Sequence, residues 1–241
     1  MNLIHLVIPA TLIFASSFVF GVIPASIFRM FGGAKASDLW IAKTMQLTCS
    51  AVLFILGARI SVSGAYEKVK KLKSVVFVSN HCSMLDILAI SSVFKGKLGF
   101  VAKKELRFVP FINLMCRLSH CVFLDRRNNK AAVKSMEKGI ENVKNGFSML
   151  IFPEGTRSKT GVIGSYKRGS FRLATESKAK IVPLAIKGDR ELLEDRKKLF
   201  AKSTIRLHVF EPVETENSDR FELYNKETEI EKEVKEIYEQ L

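Results

Sequence analysis

The chain has 241 residues, 47% hydrophobic and 26% charged, with a formal net charge of +14 at pH 7. That length fits one domain, or one domain with an appendage, and is ample for a core. A basic balance of this size asks for a polyanionic partner; the apolar N-terminus and the absence of a nucleic-acid motif point away from nucleic acid and toward an anionic membrane or phosphorylated substrates.

The charge is uneven. Residues 211–241 carry eleven acids against four bases, so residues 1–210 hold +21, and Lys95–Lys144 holds twelve bases and four acids. Cys49, Cys82, Cys116 and Cys121 show no paired metal-ligand spacing. They read as reduced thiols in a cytoplasmic setting.

In chain order, Leu3–Phe28 has no Asp, Glu, Lys or Arg, and Pro9, Gly21 and Pro24 interrupt it. Its 26 residues exceed the roughly 20 that span a bilayer. A signal peptide is disfavoured, because no basic region precedes the run and the run is too long. A second apolar segment, Leu39–Ile60, carries Lys43, Thr44, Gln46, Thr48 and Ser50. With Arg29, Lys35 and Asp38 between them, the two segments predict a helical hairpin that enters the membrane, either crossing it or lying in one leaflet. We take residues 1–60 as a membrane anchor and 61–241 as the second domain. Lys68, Lys70, Lys71 and Lys73 then place that domain on the cytoplasmic side.

Val75–Val78 predicts a buried strand and Ile87–Val93 a helix. Between them lies Ser79-Asn80-His81-Cys82-Ser83-Met84-Leu85-Asp86. In a regular helix, five residues turn the chain by roughly 500°, so His81 and Asp86 would point about 140° apart. They can pair only if His81 lies on the loop and Asp86 in the first helical turn. Such a pair suits general-base catalysis: the carboxylate fixes the tautomer and the free ring nitrogen takes a proton from a hydroxyl. The plainer reading is a histidine satisfied by a neighbouring carboxylate. Cys82 invites a Cys–His nucleophile, but a small buried hydrophobe is the reading we prefer. Ser83 reads as a helix cap.

Leu98–Ala102 predicts a strand, Phe111–Leu118 a helix and Cys121–Leu124 a strand. Ala131–Lys144 predicts a helix with Val133, Met136, Ile140 and Val143 on one stripe, ended by Gly146. The strand Ser148–Phe152 stops at Pro153, and Glu154-Gly155-Thr156-Arg157-Ser158 follow. Arg157 offers a planar fork of donors matched to phosphate or carboxylate oxygens; the plainer reading pairs it with Glu154. Ser170–Ser177 predicts a helix, Ile181–Ile186 a strand, Thr204–Phe210 a half-exposed strand, and Thr228–Leu241 a helix with an apolar stripe of Ile230, Val234, Ile237 and Leu241. His5 and His208 read as structural. This alternation predicts an α/β fold with a mostly parallel or mixed sheet flanked by helices.

Asn80–Asp86 and Phe152–Ser158, in this order, resemble the paired motifs of the glycerolipid acyltransferases, most like the bacterial 1-acyl-glycerol-3-phosphate acyltransferases. Ala102-Lys103-Lys104-Glu105-Leu106, with Pro110 and Phe123-Leu124-Asp125-Arg126, resembles that family's acceptor-binding block, and Ile181–Ile186 its last block. Asn113 and His120 stand where the family usually has Gly. The resemblance implies that 61–241 is a catalytic domain that transfers a fatty acyl group from acyl-CoA or acyl carrier protein to the sn-2 hydroxyl of lysophosphatidic acid, in phospholipid biosynthesis at the cytoplasmic face of a bacterial inner membrane. It implies His81 as general base oriented by Asp86. Lys103 and Arg157 would hold the acceptor phosphate, with Glu154, Gly155 and Thr156 shaping that turn. No metal or redox cofactor is implied. Another lysolipid as acceptor, or a non-catalytic lipid-binding protein on the same fold, are the alternatives.

Overall fold

The computed structural model describes residues 4–196, 202–216 and 220–241; the expectations for Leu3 and for the His5 side chain lie outside what is described. Helix α1 (Ile4–Ser17) runs through a wider turn at Phe18–Val22 into α2 (Ile23–Met30), and α3 (Ala34–Ile55) returns beside them. The hairpin is tight: a Cβ on Gly21 would come within 2.1 Å of the Thr44 methyl. Two polar side chains of α3 turn inward: Thr48 Oγ1 bonds Ser17 Oγ at 2.6 Å across the hairpin, and Gln46 Nε2 donates to Ser92 O at 3.1 Å. The outer surface is apolar, with Leu12, Phe20, Phe31, Leu47 and Phe54 all exposed. Thr11–Met30 has the length and hydropathy of a membrane span and is only 17% buried.

The second apolar segment ends earlier than its hydrophobicity suggests. Helix α3 stops at Ile55, Gly57 turns the chain at φ +83°, and β1 (Ala58–Gly64) begins inside what the sequence reads as one continuous run. A one-turn helix α4 (Tyr66–Val69) follows, then β2 (Val76–Ser79), α5 (Leu85–Val93), β3 (Leu98–Lys103), α6 (Pro110–Leu118), β4 (Val122–Leu124), α7 (Asn129–Lys144), β5 (Ser148–Ile151), α8 (Arg172–Ser177), β6 (Ile181–Lys187), β7 (Ser203–Val209) and α9 (Arg220–Gln240). The last helix starts at Arg220, eight residues before the Thr228 predicted from its apolar stripe.

Among the described residues, seven strands form one sheet in the order β1-β7-β6-β2-β5-β3-β4. All neighbours are parallel except β6 and β7, so the expected mixed α/β sheet is what forms. Strand side chains alternate between two cores. Phe77, Leu150, Val182 and Ile205 face α3 and α5; Val76, Val78, Met149 and Ile181 face α7, α8 and α9. An uninterrupted run such as Val75–Val78 makes a strand because both its faces are buried. On α7, Met136, Ile140 and Val143 are buried as predicted, but Val133 is exposed, for a reason that lies in the site.

Asp38, read from sequence as part of a short charged connection, is a buried hub. Its carboxylate pairs with Arg29, with Lys97 at 3.0 Å and with His120 Nε2 at 3.1 Å, and the His120 ring stacks on Phe147. It thereby ties the hairpin to the sheet. His120 has φ +57°, the left-handed region glycine favours, which accounts for the position as a place for Gly.

Candidate active site

Strands β2, β3, β4, β5 and β6 run parallel, so their carboxyl ends meet at one edge, where α/β sheets bind ligands. His81 lies just past β2, Lys103 ends β3, Arg126 follows β4, Glu154–Arg157 follow β5, and Asp189 follows β6. An open groove of about 790 Å³ crosses this edge. His81 opens onto it, with Met84, Ile87, Phe100 and Met136 among its apolar lining. Val133 lines it too, which explains its exposure. Among the described residues, the charged side chains lining the groove are all basic: Lys103, Arg126, Arg157, Lys167 and Arg172.

The loop after β2 is held before any chemistry is asked of it. Asn80 is fully buried, and its side-chain amide does what a strand backbone would. Nδ2 donates to Ile186 O at 2.9 Å and Oδ1 accepts from Ile186 N at 2.8 Å. His81 therefore leaves the sheet at a fixed point. Its Nδ1 meets Asp86 Oδ2 at 2.7 Å, with Asp86 in the first turn of α5 and the chain curled between them as the spacing demands. The same oxygen accepts from the N–H groups of Cys82 and Ser83, each at 2.9 Å. Asp86 is wholly buried, which raises its carboxyl to about 6 against the opposing pull of its donors, so it is ionised at neutral pH. Burial likewise lowers the His81 imidazolium to about 4, the Glu154 carboxylate opposing and Arg157 assisting. The ring is neutral at pH 7, Nδ1–H directed at Asp86 and Nε2 left as an acceptor.

The turn after β5 grips the same histidine on three sides. The Phe152 ring stacks on the imidazole with centroids 4.1 Å apart. Glu154 Oε1 accepts from the His81 N–H at 2.7 Å, and the Ser158 N–H donates to the His81 carbonyl at 2.8 Å. Glu154 is buried, and its other oxygen takes the Gly164 N–H at 2.8 Å. It therefore holds backbone behind the site and does not line the groove, unlike Gly155, Thr156 and Arg157. Gly155 sits at φ +74°, and a Cβ there would reach 2.9 Å from Lys167 Nζ. The glycine lets that lysine lie against the turn.

Arg157 does not pair with Glu154. Its Nη1 donates to Glu194 Oε1 at 2.9 Å. Glu194 also accepts from Ser83 Oγ at 2.7 Å and from Met84 N at 2.9 Å. Ser83 does help start α5, accepting from Leu85 N at 3.0 Å. Lys103 is exposed at the groove, 3.9 Å from Glu105, whereas Lys104 turns away to Asp125 at 2.8 Å. Cys82 is buried, burial pushes its thiol up to about 11, and its Sγ faces Gly161 O at 3.8 Å, so it offers no accessible thiolate. Sequence reasoning passed over Glu194, Arg126, Lys167 and Arg172. Of these only Arg126 stood inside a quoted motif.

A family model described as Acyltransferase matches residues 59–187. The chain is 33% identical over 201 residues to the 1-acyl-sn-glycerol-3-phosphate acyltransferase of Saccharomyces cerevisiae, covering 82% of this chain and 65% of that protein. It is 34% identical to an uncharacterised acyltransferase of Schizosaccharomyces pombe, covering 84% of this chain and 72% of that protein. The chain thus spans about two thirds of the length of these relatives. The crystal structure of the 1-acyl-sn-glycerophosphate (LPA) acyltransferase from Thermotoga maritima superposes with a TM-score of 0.76 at 29% identity, covering 96% of this chain and 94% of that one.

Proposed function

The chain belongs to the acyltransferase family, and from that premise we propose that it moves a fatty acyl group from a thioester to the sn-2 hydroxyl of 1-acyl-glycerol-3-phosphate, giving phosphatidic acid. The observation that carries this reading is the His81–Asp86 pair opening on an apolar groove whose charged lining, among the described residues, is entirely cationic. A substrate with a long chain and a phosphate fits both halves of that groove. The names borne by the yeast relative and the Thermotoga structure agree.

In this mechanism His81 Nε2 takes the proton of the acceptor hydroxyl as its oxygen attacks the thioester carbonyl. Asp86 holds the tautomer and stabilises the imidazolium that forms. The new C–O bond makes a tetrahedral oxyanion, favoured by the cationic wall. It collapses by breaking the C–S bond, and the imidazolium returns its proton to the departing thiolate. Arg157 and Lys103 hold the acceptor phosphate, with Gly155 and Thr156 forming the turn that presents Arg157. The chemistry calls for no metal or redox cofactor. The donor is an acyl-CoA or acyl carrier protein thioester, each anionic and suited to the basic rim. The hairpin sits in the cytoplasmic leaflet of the inner membrane by its exposed apolar face.

The test is to incubate the purified full chain with labelled acyl-CoA or acyl carrier protein and a panel of lysolipids. Labelled phosphatidic acid as the main product supports the reading. Acylation of a different lysolipid with lysophosphatidic acid inert, or binding without transfer, overturns it.

A further inference from the structure

Just behind Asp86 lies a second carboxyl the mechanism above does not use. Asp189 follows Gly188 at the end of β6 and is 1% exposed. Gly188 has φ +97°, and a Cβ on it would sit 2.4 Å from Thr204 O, so the chain turns sharply there and drives Asp189 inward. Asp189 Oδ1 accepts from Arg190 N at 3.0 Å. Its Oδ2 has no partner among the described N–H and O–H groups, and neither does Asp86 Oδ1. The two carboxyls lie within hydrogen-bonding reach of one another. Two buried carboxyls can hydrogen-bond to one another only if one of them keeps its proton, and mutual repulsion disfavours ionising both.

We infer that Asp189 carries a proton at neutral pH and donates it to Asp86, making Asp189 a positioning residue that completes a relay Asp189–Asp86–His81. One proton between the two acids gives both orphaned oxygens a partner. The other three bonds to Asp86 all fall on Oδ2, so this is the only one that steadies Oδ1 among the described contacts. The charged and titratable groups around the pair sort the proton. Burial, then the Asp86 carboxylate, then Glu194 push Asp189 up to about 10, while Asp86 is helped by its N–H donors and stays ionised. Tyr238 of α9 and Cys82 face the same pocket, both pushed up by burial and so neutral. Arg190 turns its guanidinium away, to Asp195 and to the carbonyls of Cys82, Ser158 and Lys159. No cation in this set reaches Asp189 to hold it ionised.

The inference rests on His81 being the base, and its test separates the two. Asp189→Asn keeps a neutral donor toward Asp86 and an acceptor for Arg190 N; Asp189→Leu fills similar space with neither. Turnover should fall roughly tenfold or more in Asp189→Leu, with the acid limb of the pH profile moved to higher pH because Asp86 loses a donor. Asp189→Asn should recover most of that turnover with the limb near its original place. A limb moved to lower pH in Asp189→Asn would mean that an ionised carboxylate had been removed, and the inference would fail. The infrared carbonyl band of an un-ionised buried carboxyl should be present in the wild type at pH 7 and lost in Asp189→Asn. This reading holds even if the Leu variant does not fold. A band that persists in Asp189→Asn would place the proton on Asp86 instead, and no band in the wild type would mean none is shared; either overturns the inference. Full turnover in His81→Ala would refute the base while leaving the infrared result to decide on Asp189.

Discussion

The carboxylate of Glu154 accepts the backbone N–H of His81 at 2.7 Å, across 73 residues of sequence. The turn that presents Arg157 to the groove therefore also fixes the position of the histidine. With Phe152 stacked on the ring and Ser158 bonded to the carbonyl, the two motifs form one rigid unit.

Substituting Glu154→Ala should leave the N–H groups of His81 and Gly164 without their acceptor, at a cost of up to about 1–3 kcal/mol, most of it at the half-buried His81 because Gly164 is open to water. Thermal melting should drop, and kcat should fall with little change in KM, because the residue holds the base without lining the groove. A loss confined to KM, with the melting point unchanged, would instead make Glu154 a substrate contact.

Cys82→Ala should remain active, and no acyl-enzyme should accumulate. The thiol is buried and neutral, and direct attack by the acceptor oxygen needs no protein nucleophile. Rapid mixing with labelled donor alone, followed by mass spectrometry, should return unmodified protein. A stoichiometric adduct on Cys82 would replace direct attack with a two-step route.

Arg157→Ala and Lys103→Ala should each reduce kcat/KM for lysophosphatidic acid about 10–150-fold, the value of a charge-assisted hydrogen bond of roughly 1.5–3 kcal/mol. A lysolipid with a capped phosphate should suffer less. Arg157→Lys should not rescue fully, since a point charge cannot reproduce the fork. Arg157 has a further job: without it, Glu194 loses a partner beside the start of α5. Equal proportional losses on both acceptors would assign these cations to the fold or to the donor.

The hairpin's exposed face should set membrane attachment. Replacing Phe20, Phe31, Leu47 and Phe54 with Ser removes apolar surface that touches little of the core. The variant should pellet less with anionic vesicles at moderate salt while keeping its melting point. Undiminished binding would make the basic surface the anchor. Deleting the whole hairpin is a poorer test, because Leu53, Met45 and Leu56 of that segment pack into the main core.

Local readings survived where local chemistry decides the structure. The five-residue spacing of His81 and Asp86 allowed them to pair only with His81 on a loop, and that loop is what the structure has. Strand β2 and helix α7 follow from apolar runs and periodicity. What could not be read were contacts that the strand order creates. Glu194 and Asp189 come from segments more than 100 residues after His81, and only the adjacency of β6 to β2 brings them to the site. Strand β1 was hidden because Ala58 and Ile60 continue the apolar run of α3, although Arg59, Ser61 and Ser63 alternate outward with strand period.

In the proposed mechanism His81 is the general base, neutral and held by an ionised Asp86. The most direct measurement is turnover of a labelled acyl thioester with lysophosphatidic acid, in wild type and in His81→Ala, across pH 4–9. Burial raises Asp86 to about 6 and lowers His81 to about 4, so below about pH 6 the pair gains a proton and the base is lost. Wild-type kcat/KM should therefore fall on the acid side with an apparent pKa near 6. The Ala variant should be folded, lack that limb, and turn over about 10²–10⁴-fold more slowly. A folded His81→Ala protein with near-full turnover, or one that keeps the same acid limb, would contradict the account.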